Sequence, residues 1–251
     1  MINSRHAEKD RSGNPEILYI PPMTKIFRWF VTTVMKLGLH ILCRIDAPDL
    51  KKIPGRGPLI VYSNHTGSIE VPMIYGEIFP RPLTGWAKVE SWDNWFLNWI
   101  FTLWGGIPVH RGEADLSALK KALAALHQGY IFGLSPEGTR NKTGQLNRAK
   151  PGIVLLALQA GAPIQPLAHW GGENFLSNLK KLKRTDFHIR VGEPFRINTN
   201  GVRISGETRQ EITDEMMYRL AALLPEEYRG VYADLSKATG KYLLRLSPTQ
   251  P

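Results

Sequence analysis

Short apolar runs that stop abruptly in glycine, histidine or small polar residues recur along this chain, with helical patterns between them. The runs Leu59–Tyr62, Leu83–Lys88, Ile107–Arg111, Tyr130–Ser135, Pro163–His169 and Phe187–Val191 are rich in β-branched and aromatic residues and read as strands. Helical periodicity covers about 69–79, 92–104, 116–127, 151–160 and 207–224, with Gly129 closing the third of these in the usual C-terminal manner. Residues 171–185 read as a basic loop, and the stretch beyond 224 as a terminal helix with a loose end. Alternation of this kind predicts an α/β fold, a mostly parallel central sheet flanked by helices. Strand ends pointing one way open on one edge of such a sheet, where ligands bind. His65, Arg111 and the turn Glu137-Gly138-Thr139-Arg140 each follow a predicted strand directly, so the topology predicts that they share that edge.

The chain has 251 residues, enough for one large domain or two small ones, and carries a formal net charge of +10. That excess predicts attraction to an anionic partner: a membrane surface, a nucleic acid or an acidic substrate. Basic clusters such as Lys180-Lys181-Leu-Lys183-Arg184 come with no nucleic-acid reading motif, so no nucleic-acid role is expected and the cluster reads as solvated or facing lipid headgroups. Cys43 is the sole cysteine, which excludes an internal disulfide and a cysteine metal cluster; no metal site is expected. Residues 1–23 read as a flexible arm without the pattern of a signal peptide. Residues 24–46 read as an amphipathic helix with Lys25, Arg28, Lys36, His40 and Arg44 on one face and Phe27, Phe30, Val31, Val34, Leu37, Leu42 and Ile45 over the rest. Lys36 interrupts it too early for a membrane span, so it is read as lying in an anionic membrane interface, basic residues towards headgroups. The competing placement is against the protein's own core. The helix at 92–104 holds Trp92, Trp95, Trp99 and Trp104, a composition that suits either a membrane interface or a core.

A histidine followed five positions later by a carboxylate occurs three times, at His65 and Glu70, His110 and Asp115, and His188 and Glu193, so spacing alone selects none of them. Only His65 combines a strand end, an Asn, a small-residue turn and a helix start, with Ser68 a suitable N-cap. A histidine oriented by a carboxylate at such an edge is a candidate general base. Arg111 and Arg140 offer planar forks matched to phosphate oxygens. Gly133-Leu-Ser135-Pro-Glu137 comes close to a nucleophile elbow, but its last position is Glu and Pro136 removes a backbone N–H.

Together these residues resemble the lysophosphatidic acid acyltransferase (1-acylglycerol-3-phosphate acyltransferase) family of glycerolipid acyltransferases, from about Pro58 to Pro194. Asn64-His65 with Glu70 resembles the first family motif, in which Asp is usual; the extra methylene changes reach but not charge. Lys88-Val-Glu90 with Gly106-Ile-Pro-Val-His-Arg111-Gly resembles the second. Pro136-Glu137-Gly138-Thr139-Arg140 matches the third and is the most specific. Pro163-Ile-Gln-Pro166-Leu resembles the fourth. The resemblance implies that residues 47–251 form an acyltransferase domain. It implies transfer of a fatty acyl group from acyl-CoA or acyl carrier protein to the free hydroxyl of a lysophospholipid, lysophosphatidic acid first, without a cofactor. His65 would be the general base and Glu70 its orienting partner. Arg111, Glu137, Gly138, Thr139 and Arg140, with Lys88, would bind the phosphate. Trp92, Trp95, Trp99 and Pro166 would shape the acyl pocket. The implied location is membrane-associated, on the cytoplasmic face. Two rivals remain: a non-catalytic lipid-binding module of the same fold, and a serine hydrolase using Ser135.

Overall fold

The computed structural model describes residues 22–67, 69–110, 115–141, 143–199 and 201–246. Helix α1 (Pro22–Leu42) runs into strand β1 (Cys43–Asp46). In chain order follow β2 (Leu59–Ser63), α2 (Glu70–Ile78), β3 (Leu83–Lys88), α3 (Trp95–Trp104), β4 (Ile107–Val109) and α4 (Leu116–His127). Then come β5 (Ile131–Leu134), α5 (Gly152–Ala160), β6 (Ile164–Trp170), α6 (Phe175–Lys180), β7 (Thr185–Val191), β8 (Phe195–Ile197), α7 (Gly206–Ala221) and β9 (Leu243–Arg245).

The strands form one sheet in the order β1-β7-β6-β2-β5-β3-β4, with β8 attached to β6 and β9 to β8. The run β6-β2-β5-β3-β4 is parallel throughout. β7 is antiparallel to β6 and parallel to β1, and the β8 and β9 pairings are antiparallel. Strand β2 shows why both faces are covered. Ile60 and Tyr62 point into the core shared with α4, α5 and α7, while Leu59 and Val61 point into the core shared with α1, α2 and α3. Four successive apolar residues therefore mark a strand buried on both sides.

The α/β alternation read from the sequence is present, with three local differences. First, the N-terminal helix stops at Leu42, and Cys43–Asp46 pairs with β7 in the register Cys43 to Thr185. Arg184 donates to the carbonyls of His40 and Cys43 there, covering oxygens that a helix end leaves unpaired. Second, the basic loop at 171–185 contains α6. Third, the segment beyond 224 forms short 3-10 turns and β9 instead of a helix. Buried Glu215 on α7 accepts from Thr239 Oγ1 and from the backbone N–H groups of Lys241 and Tyr242, which ties that segment down in extended form.

Helix α1 has its polarity reversed relative to a helix on a water-exposed surface. Val31, Met35 and Leu39 pack on the core, and the polar groups on the same side find partners. Thr32 accepts a hydrogen bond from the Trp104 indole at 3.2 Å, while Lys36 and His40 reach the carboxylate of Glu77 on α2 at 3.3 and 2.7 Å. The outward stripe is Ile26, Phe30, Val34, Leu37 and Ile41, all exposed. The basic face is thus redistributed: Lys25 stays exposed, while Lys36, His40 and Arg44 find carboxylate partners. Lys36 and His40 turn inward because Glu77 is nearly buried, and Arg44 has left the helix to pair with Asp186.

Candidate functional site

The carboxyl end of β2 carries Asn64 and His65, and the next helix starts with Glu70. His65 Nδ1 lies 2.6 Å from Glu70 Oε1, and the two side chains are 14% and 4% exposed. The same Glu70 oxygen accepts from the backbone N–H of Gly67 at 3.1 Å. Burial, the largest single influence, opposes charge on Glu70, but the hydrogen bond from His65, the nearby His169 and His65 rings and a backbone N–H together outweigh it and hold the carboxyl down at about 2. An ionised carboxylate only accepts hydrogen bonds. The His65 proton therefore sits on Nδ1, and Nε2 of the neutral ring keeps its lone pair. That is the tautomer a base needs.

The other two pairs separate cleanly from this one. His110 lies 3.3 Å from Asp115, but its side chain is 63% exposed. Asp115 is occupied as the N-cap of α4, accepting from the Ala118 N–H. His188 does not meet Glu193 at all. It bonds to Asp46 at 3.1 Å, while Glu193 lies 3.6 Å from Lys52.

Strands β2 and β5 are parallel neighbours, so the turn after β5 reaches the His65 loop. Buried Glu137 accepts from the His65 N–H at 3.1 Å with one oxygen and from the Asn147 N–H at 2.9 Å with the other. The His65 carbonyl in turn accepts from the Asn141 N–H at 2.8 Å. A third clamp joins β2 to β6. The Asn64 side chain and the His169 backbone exchange two hydrogen bonds, of 2.7 and 3.0 Å, and the His169 ring donates to the Asn64 carbonyl at 2.8 Å. His65 is thus fixed by its backbone on both sides and by its ring.

These contacts correct part of the sequence expectation. Glu137 does not serve as a phosphate ligand: both its oxygens are committed to backbone donors, and a buried carboxylate repels an anion. Burial also pushes its pKa up, against the two backbone bonds that favour its charge. Gly138 sits at φ 69, a conformation that glycine adopts without strain, and leaves Thr139 and Arg140 exposed at the turn. Lys150 lies over this turn, its Cδ to Nζ atoms 3.5–3.7 Å from where a Cβ on Gly138 would be. Lys88 is exposed at the end of β3. Arg111 and Ser68 lie outside the described residues. Pro166 is buried within β6 opposite Tyr62, with its ring against Gly192. Trp95 and Trp99 point outwards, 81% and 41% exposed, and Trp99 meets Phe27 of α1 edge-on at 6.2 Å. Trp92 is half-buried beside Phe101. Trp95 and Trp99 thus form an outward aromatic patch continuous with α1. Ser135 Oγ is buried and has no hydrogen-bond partner among the described residues, unlike an activated nucleophile held by its base. Asn141, Asn147, His169 and Lys150 escaped the sequence reading; only Asn64 stood beside a recognised motif.

The Glu70 shift has a direct consequence for stability. A carboxyl held near 2 instead of its ordinary 4.5 stabilises the fold above about 4.5, and that contribution is lost as pH falls towards 2. Urea midpoints for wild type and Glu70→Gln should therefore differ most near neutrality and converge across that acid window. Parallel pH profiles would reject the shift.

A family model described as Acyltransferase matches residues 44–170. The 1-acyl-sn-glycerol-3-phosphate acyltransferase of Borreliella burgdorferi is 30% identical over 134 residues, 53% of this chain and 53% of that protein, so the match spans about half of that relative. The enzyme of the same name from Bacillus subtilis is 25% identical over 66% of this chain and 80% of its own length. A lyso-ornithine lipid O-acyltransferase of Pseudomonas aeruginosa is 27% identical over 69% of this chain and 71% of its own. The crystal structure of the lysophosphatidic acid acyltransferase PlsC from Thermotoga maritima shares the fold, with a TM-score of 0.60 at 22% identity over 80% of this chain and 79% of that one. The matched residues 44–170 hold the His65–Glu70 pair and the Glu137 turn together, and the chain belongs to the acyltransferase family.

Proposed function

We propose that this chain is an O-acyltransferase. It moves a fatty acyl group from a thioester, acyl-CoA or acyl carrier protein, to the free hydroxyl of a lysophospholipid, with lysophosphatidic acid the first candidate acceptor. The observation that carries this reading is the His65–Glu70 bond of 2.6 Å in a loop held at both of its backbone neighbours. In this mechanism His65 Nε2 removes the acceptor's hydroxyl proton. The oxygen attacks the thioester carbonyl, the C–S bond breaks, and the thiolate leaves with the proton returned by the imidazolium. Glu70 stabilises that imidazolium. Arg140, Lys150 and Lys88 supply cations for the acceptor's phosphate, with Arg111 assigned to the same task by its motif. The names of the relatives above, 1-acyl-sn-glycerol-3-phosphate and lyso-ornithine lipid acyltransferases alike, support a lysolipid acceptor.

The reading extends to place. No helix among the described residues is long and apolar enough to cross a membrane. The exposed stripe of α1 and the adjacent Trp95, Phe96 and Trp99 support attachment by one leaflet, with aromatic rings at the interface. The face proposed for it is the cytoplasmic one. The test is an acyl-transfer assay with purified protein, offering lysophosphatidic acid and a phosphate-free lysolipid to each donor. Transfer from neither donor would leave a lipid-binding module. Arg140→Ala should raise KM for the phosphate-bearing acceptor by about 10-fold or more, the loss of one charge-assisted contact. An equal loss on the phosphate-free acceptor would remove Arg140 from phosphate binding.

A further inference from the structure

We infer that the turn closing α6 is a second membrane contact, one that recognises anionic lipid headgroups, and this rests on the proposed attachment through α1. The turn joins two features that water alone does not favour. Leu176, Leu179 and Leu182 are exposed, Leu182 at 96%. Lys180, Lys181 and Lys183 are exposed among them and form no ion pair within the described residues.

The backbone sharpens the case. Lys183 N–H bonds to the Asn178 carbonyl and Leu182 N–H to that of Leu179, closing the helix. Such a closure needs a left-handed residue, usually glycine. Here Leu182 takes it, at φ 53, the only non-glycine residue with positive φ among those described. A side chain on that position costs conformational energy, and this one meets solvent and no protein core. A leucine held out at such cost between lysines suits a surface apolar just beneath its charges.

The turn is also joined to the first contact. Phe175 at the start of α6 packs in the same core as Val31, Met35 and Leu39 of α1. Arg184, next after Lys183, bonds the carbonyls of His40 and Cys43 at the end of α1. The basic turn therefore flanks the apolar stripe and is not a separate protrusion. Division of labour follows: α1 supplies apolar burial on any bilayer, and the turn supplies preference for negative charge.

Vesicle co-sedimentation of the full chain tests this, with phosphatidylcholine alone against phosphatidylcholine containing phosphatidylglycerol. Wild type should prefer the anionic vesicles, and the preference should fade with salt. The triple variant Lys180→Glu, Lys181→Glu, Lys183→Glu should lose on the order of 100-fold on anionic vesicles and little on neutral ones. Leu182→Gly relieves the backbone and should still weaken binding to both, the reverse of a purely structural role. Phe30→Ser with Leu37→Ser should weaken binding to both vesicle types, reporting on α1 separately. A triple variant that keeps the wild-type anionic preference overturns the turn's role while leaving α1 intact. Neutral-vesicle binding untouched by the α1 variant overturns the attachment reading instead.

Discussion

His65→Ala should lose acyl transfer by about 10²–10⁴-fold or more while the protein stays folded, the usual scale for removing a general base. The effect belongs in kcat, because Nε2 acts on the hydroxyl as the bond forms and contributes little to ground-state binding. Alanine at this position leaves the backbone bonds to Glu137 and Asn141 available but removes the imidazole partner of buried Glu70, so the protein should stay folded with a lowered melting temperature. His110→Ala is the matched control. Its ring is far more exposed, 63% against 14% for His65, and its partner Asp115 already caps α4, so transfer should remain within about twofold. Steady-state kinetics and a thermal melt on both variants decide the matter. Equal losses would mean that the imidazole doing the chemistry has been misassigned.

Glu137→Ala should damage fold and catalysis at once. It strands two backbone donors, the N–H groups of His65 and Asn147, in a buried place. Each such orphan costs about 1–3 kcal/mol. A buried two-donor acceptor is also what aligns the base, and misplacement by about 1 Å costs about 10²-fold in rate. The variant should therefore melt several degrees lower and lose rate equally on phosphate-bearing and phosphate-free acceptors. Glu137→Gln keeps one accepting oxygen and should fall between. An unchanged melting temperature, with loss confined to phosphate-bearing acceptors, would return Glu137 to anion binding.

Local pattern reached some parts of this molecule and stopped at others. Strand Leu83–Lys88 and helix Leu116–His127 were legible to the residue, because period and end signals are local properties of the chain. The meeting of the His65 loop with the Glu137 turn was legible too, since parallel neighbours carry their following loops to one edge. The job of Glu137 was not. A carboxylate beside an Arg and a Gly looks like part of an anion site until its partners, set by tertiary contact, are known. The partners of helix α1 were hidden for the same reason: only Glu77, on a different helix, shows that Lys36 and His40 pair with the protein itself. Segment 43–46 is short and follows a strong helix, so its pairing with a strand far along the chain left no local mark.

The clamps around His65 are anchored in β2, β5 and β6, which lie side by side in the middle of the sheet. These are among the last elements of a domain to open, since opening them exposes both cores. The His65 backbone is thus held from strands that pack on both cores, so its alignment should persist as long as those strands stay paired. On the proposed function, substrate selection would then fall to the exposed cations Lys88, Arg140 and Lys150 and to the outward aromatic patch, whose substitution should leave the His65 clamps in place.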